Sequence, residues 1–174
     1  MDISDLPYPD TSQFEHYGID KRPSRIYIGR EFLKFRYHEN PSDDITVTKQ
    51  NYVDEFFELV EGIELPFQKV YINQSTLTEV AVWLHRNQSE LAAEKCLTEA
   101  FGESPLIIEP TTTTVFQSAI DAFVKDSDKD PNFGEYLDYA TMQEAQIEHI
   151  LTWDSDFCRF GEQITMLPHK MWNM

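Results

Sequence analysis

Basic residues are scarce in this chain of 174: 14 lysines and arginines stand against 31 acids, a formal charge of −17. The electrostatic footprint of a general nucleic-acid coat is positive. That class is excluded, and any contact with phosphate has to be local or metal-mediated. Cysteine is nearly absent as well. Cys96 and Cys158 lie far apart and match neither metal-ligand nor redox spacing, and two thiols build no disulfide framework; they read as reduced residues of a cytosol. No run of about 20 apolar residues spans a bilayer, and the N-terminus lacks a basic segment followed by an apolar one, so a cytoplasmic protein without membrane contact is expected. The histidines, His16, His38, His85, His149 and His169, form no zinc-like spacing, and no Gly-x-Ser-x-Gly elbow supports a Ser-His-Asp hydrolase.

What the chain has in excess is carboxylate. So acidic a balance, with few lysines, fits a halophilic protein, because concentrated salt shortens the reach of self-repulsion. The length suits one domain with a substantial core. Residues 1–24 carry Asp2, Asp5, Asp10, Glu15 and Asp20 with Pro7, Pro9 and Pro23, a composition that buries little and predicts a flexible acidic tail. Residues 25–168 read as the domain, and 169–174 as a C-terminal tail.

Within the domain, short apolar runs alternate with helical spacing. Arg25-Ile-Tyr-Ile-Gly29 predicts a first buried strand, followed by a helix-like segment carrying Phe32, Leu33, Phe35 and Tyr37. A loop at Asn40-Pro-Ser-Asp-Asp44 precedes Tyr52, Phe56, Phe57, Leu59 and Val60, at helical spacing up to Gly62. Lys69-Val-Tyr-Ile72 predicts a second strand. Leu77, Val80, Ala81 and Leu84 then form the stripe of an amphipathic helix. Helical segments are expected near 89–101 and 113–126, with Leu106-Ile-Ile-Glu109 as a third strand between them. A helix near Gly134, a strand over His149 to Thr152 and an edge strand around Gln163 to Leu167 complete the pattern. Strands separated by helices predict an α/β fold: a central parallel sheet of four to five strands flanked by helices on both faces. The Thr111 to Thr114 run reads as a loop and helix cap, and Trp83 and Trp153 as core aromatics.

Four acids stand at element boundaries: Glu79, Glu135, Asp154 and Asp156. Oxygen ligands of this kind suit Mg2+ or Mn2+ rather than zinc. Each acid also has a structural explanation. Thr76-Leu-Thr-Glu79 and Asn132-Phe-Gly-Glu135 match the capping box, and Asp156 suits the cap of a turn holding Phe157 and Phe160. Asp154 follows Leu-Thr-Trp at a strand end, with no helix-start pattern of its own. In an open parallel sheet that is where ligands bind.

Ser75-Thr-Leu-Thr-Glu79, Phe133-Gly-Glu135, Tyr139-Ala-Thr-Met142 and Leu151-Thr-Trp-Asp-Ser-Asp-Phe157 occur in the order and spacing of a known family. From about Arg25 to Pro168 the chain resembles the PIN-domain proteins, especially the toxin ribonucleases of toxin–antitoxin pairs. The resemblance implies a PIN-like α/β domain whose acids hold Mg2+ or Mn2+, with the ion activating water for attack on an RNA phosphodiester. By matching position it makes Glu79, Glu135 and Asp154 metal ligands and catalytic residues, with Asp156 supporting them directly or through water. It further implies a homodimer and a cognate antitoxin that inserts a segment across the acidic site.

Two departures set the chain apart from that pattern. The family's first strand runs into an aspartate, where this chain has Gly29 followed by Arg30 and Glu31; and Glu135 replaces an aspartate. The Arg30 guanidinium offers Glu79 or Asp154 a fixed positive charge in place of an ion's. The alternative to a metal-dependent endoribonuclease is therefore a catalytically inactive PIN-like protein that binds RNA or protein. Lys21, Arg22, Arg25, Arg30, Lys34 and Arg36 gather basic charge in one window, open to RNA phosphate, to an acidic partner or to solvent.

Overall fold

The computed structural model describes residues 25–62, 69–102, 104–126, 131–160 and 165–166. The predicted tails, 1–24 and 169–174, lie outside them. The elements run β1 (Arg25–Ile28), α1 (Arg30–Arg36), α2 (Asp44–Glu61), β2 (Lys69–Asn73), α3 (Gln74–Asn87), α4 (Glu90–Phe101), β3 (Leu106–Glu109), α5 (Thr113–Lys125), α6 (Phe133–Glu144), β4 (His149–Leu151), a 3-10 helix (Ser155–Phe160) and β5 (Thr165–Met166). The strands form a parallel five-stranded sheet in the order β3-β2-β1-β4-β5, as the alternation of apolar runs and helical segments requires.

β1 is buried at Ile26, Tyr27 and Ile28, the continuous apolar run of a strand covered on both faces. Successive side chains point to opposite faces. Ile26 and Ile28 join Val70, Ile72 and Leu151 in a large core with Phe32, Phe56, Val80 and Leu84. Tyr27 instead joins Tyr71, Met142, Ile150 and Phe157 on the other face. Helix starts follow local chemistry, with each N-cap side chain accepting from an orphan amide: Asp43 from Thr46 N, Asn73 from Ser75 N, Ser89 from Ala92 N and Thr112 from Val115 N. Thr112 thus fulfils the cap expected of the threonine run.

One expected cap differs. Helix α3 opens on Asn73, before Thr76, and Thr76 donates its hydroxyl to Asp138 at 2.5 Å. Glu79 is therefore not the closing residue of a capping box. Asn132 and Glu135 do form one, with both reciprocal bonds present. Trp83 and Trp153 are partly buried and pack against the large core, and Cys96 is fully buried.

The order of strands reverses between β1 and β4, the switch point at which open sheets bind ligands. Ile28 pairs with Leu151, and Gly29 N donates to Leu151 O at 2.9 Å. The chain leaving β1 therefore lies against the chain leaving β4. That contact brings Arg30 to Asp154.

Candidate functional site

Four elements deliver acids to this crevice. Glu31 stands in the first turn of α1, Glu79 on α3, Glu135 in the first turn of α6, and Asp154 and Asp156 in the turn after β4. Glu135, Asp154 and Asp156 offer carboxylate oxygens within 4.8 Å of one another. Glu79 joins at one remove: a Cβ added to Gly134 would come 3.1 Å from its Oε1, so its carboxylate lies against the N-terminus of α6, where partial positive charge favours it.

Two of the acids are held by residues close in sequence. Glu135 accepts from Asn132 N at 2.8 Å through Oε2 and from Asn132 Nδ2 at 2.7 Å through Oε1. Asp154 N donates to the Thr152 hydroxyl at 3.0 Å, and Asp154 Oδ1 accepts from Asp156 N at 3.0 Å. The capping role expected of Asp156 thus belongs to Asp154, because the 3-10 turn starts directly after it.

The guanidinium of Arg30 enters among these acids. Its Nη2 donates to Glu135 Oε1 at 2.8 Å and its Nε to Glu31 Oε1 at 2.8 Å. Nη1 stands 3.7 Å from Glu79, and Nη2 stands 3.9 Å from Asp154. The expected pairing with Glu79 or Asp154 is present at the longer distances; the short bond goes to Glu135. Glu135 is 3% exposed. Burial and then the Asp154 charge push its carboxyl up, against a smaller lowering by Arg30. Burial opposes the charge on Arg30, yet the Glu31 hydrogen bond and the charges of Glu31, Glu135 and Glu79 raise its pKa.

A second group lies beneath the first and was not anticipated from the sequence. Asp138, three residues along α6 from Glu135 and 2% exposed, accepts from the Tyr27 and Thr76 hydroxyls at 2.5 Å each. Burial raises its pKa to about 7, although both hydroxyl bonds pull the other way. Tyr27 OH also accepts from Asn73 N at 2.8 Å, and the Asn73 side chain bonds Thr141 and Thr111. This network ties β1, β2, α3 and α6 together below the crevice. The signal available in the sequence is its spacing, since Asp138 follows Glu135 at i+3 and Thr141 follows Asp138 at i+3, along one helix face.

As they stand, these residues do not fit the divalent ion that the resemblance implies. Gly29 supplies no carboxylate, and a Cβ there would meet Thr152 Oγ1 at 2.8 Å and Thr152 Cβ at 3.0 Å. The guanidinium bonds an oxygen of Glu135 that an ion would need. The backbone at Gly29 is extended, with φ −73° and ψ 161°, so the obstacle is Thr152 rather than the turn. Gly29→Asp is accordingly expected to lower stability by about 1–3 kcal/mol through overpacking. An unchanged urea midpoint would mean that Thr152 gives way without cost.

No protein-family model matches the sequence, and no curated protein matches it. Among solved structures, VapC20 of Mycobacterium tuberculosis, a toxin that cleaves the sarcin-ricin loop, is similar with a TM-score of 0.63 at 16% identity, over 78% of this chain and 95% of that one. The likeness shows that the fold is the PIN-like α/β fold. Among the described residues no helix is long and apolar enough to cross a membrane.

Proposed function

We propose that this chain is a PIN-like protein, related in fold to RNA-cleaving toxins, that acts by binding a partner rather than by metal-dependent hydrolysis. The observation that carries this reading is Arg30, whose guanidinium donates to Glu135 at 2.8 Å within the acidic crevice. The favoured partner is a basic protein segment. The chain carries a charge of −17, and the described basic residues near β1 are engaged internally. Arg25 donates to the carbonyls of Ala145 and Gln146 at the end of α6 at 2.9 and 3.2 Å. Lys34 lies 5.1 Å over the Trp83 ring and Arg36 lies 3.9 Å over Phe57. Among the described residues of that window, no basic face of the kind that tracks phosphates results. Lys21 and Arg22 lie outside the described residues. A salt-rich cytoplasm suits the charge.

A second reading keeps the enzyme. Carboxylates of Glu135, Asp154 and Asp156 within 4.8 Å of one another are the oxygen-rich set that hard cations prefer. On this reading Glu79, Glu135, Asp154 and Asp156 hold Mg2+ or Mn2+ in a homodimeric endoribonuclease restrained by an antitoxin. One assay separates the two readings. Structured RNA incubated with the full chain and Mg2+ or Mn2+ is expected to stay intact, and Asp154→Asn to behave the same. Metal-dependent cleavage that Asp154→Asn abolishes would establish the enzyme instead. In parallel, an arginine-rich peptide is expected to bind in preference to single-stranded RNA of equal length at matched salt. Preference for the RNA would sink the protein-partner reading.

A further inference from the structure

We infer that Arg30 is the permanent cation of the acidic crevice, a side chain standing where a divalent ion would otherwise be required to keep Glu135, Asp154 and Asp156 together. The crevice confronts carboxylates that cannot move apart. Glu135 is tied to Asn132 through both oxygens, and Asp154 is fixed between Thr152 and Asp156 N. Like charges held this close repel, and more strongly out of water.

Arg30 is built to answer that repulsion. It follows Gly29 directly and opens α1, whose next residues Phe32 and Leu33 are buried in the large core, so its Cα is anchored. Its side chain is 23% exposed. The Glu31 bond to Nε orients the guanidinium plane and leaves both terminal nitrogens facing Glu135, Glu79 and Asp154. A planar fork with several donors is suited to serving more than one carboxylate. An ion and this fork exclude each other, because Glu135 Oε1 already accepts from Arg30 Nη2 and Asn132 Nδ2, whereas Mg2+ needs oxygens free to approach to about 2.0–2.1 Å.

The inference shares with the binding-module reading the premise that no ion serves the crevice, but its test does not depend on RNA. The probe is Mn2+, added to the full chain at constant ionic strength, with thermal unfolding and Mn2+ spin resonance as readouts. The unaltered protein is expected to show no Mn2+-dependent shift in Tm. Arg30→Ala is expected to unfold at lower temperature without metal and to recover several degrees in millimolar Mn2+, since a ligand bound only by the native state raises its Tm. Arg30→Ala combined with Asp154→Asn should lose that recovery. If Arg30→Ala fails to fold, Arg30→Gln, which keeps a polar side chain without the charge, gives the same comparison. Micromolar Mn2+ binding by the unaltered chain, lost in Asp154→Asn, would overturn the inference, and so would an Arg30→Ala variant as stable as the parent and indifferent to Mn2+. RNA cleavage by the unaltered chain without Mn2+ binding would defeat the binding-module reading while leaving Arg30 in its role.

Discussion

Replacing Phe32 with alanine should cost about 3–5 kcal/mol of stability, the range for removing a buried aromatic ring from a packed core, and should disturb the crevice as well. Phe32 is fully buried. Its ring stacks on Trp153 at 5.1 Å with an interplanar angle of 18°, and meets Phe56 edge-on at 5.4 Å and Tyr52 edge-on at 6.1 Å. Such pairs add to the burial itself. Trp153 directly precedes Asp154, so the same ring that anchors α1 also steadies the turn that aims this carboxylate. Urea denaturation followed by tryptophan emission, in a chain with Trp83 and Trp172 replaced by phenylalanine so that Trp153 reports alone, reads both effects. A loss below about 1 kcal/mol with unshifted emission would show that the aromatic cluster neither holds the core nor positions the turn.

The second large effect is a dependence on pH that runs against the habit of acidic groups. Most carboxylates in folded proteins stabilise by being ionised, and their contribution disappears in acid. Asp138 does the reverse. Its native value, raised to about 7, lies above the ordinary 3.8, so the native state holds a proton that the unfolded chain releases. Stability from this group is complete below about pH 4 and is lost as pH rises from there through about 7. Asp138→Asn removes the ionisable group while keeping an oxygen for the Tyr27 and Thr76 hydroxyls. It is expected to match the parent near pH 4 and exceed it at pH 8, by at most about 4 kcal/mol, at roughly 1.4 kcal/mol for every tenfold change in proton affinity. Urea midpoints between about pH 4 and 8.5 decide the matter. Parallel curves for parent and variant would mean that Asp138 is ionised throughout.

The sheet was legible because its three inner strands announce themselves through local apolar runs: Ile26 to Ile28, Val70 to Ile72 and Ile150 to Leu151 are buried as their patterns require. The crevice was legible in part, since strand ends and helix starts are marked by composition, and Glu135, Asp154 and Asp156 do meet. The remainder depended on distance along the chain. The short partner of Arg30 lies 105 residues away, and no spacing rule selects Glu135 over Glu79. Asp138 reads as an ordinary helix surface acid, because its burial follows from Tyr27 of β1, 111 residues earlier, reaching across the sheet. Thr76 misled for a related reason: its hydroxyl serves Asp138 rather than its own helix start.

Thr152 gives this arrangement a ratchet. Its hydroxyl accepts from Asp154 N and at the same time fills the space where any side chain at position 29 would begin. A carboxylate introduced at position 29 meets that collision first, and relieving it by shortening Thr152 removes the acceptor of Asp154 N. With Arg30 also bonded to Glu135, opening the crevice to an ion calls for coordinated changes at Gly29, Arg30 and Thr152.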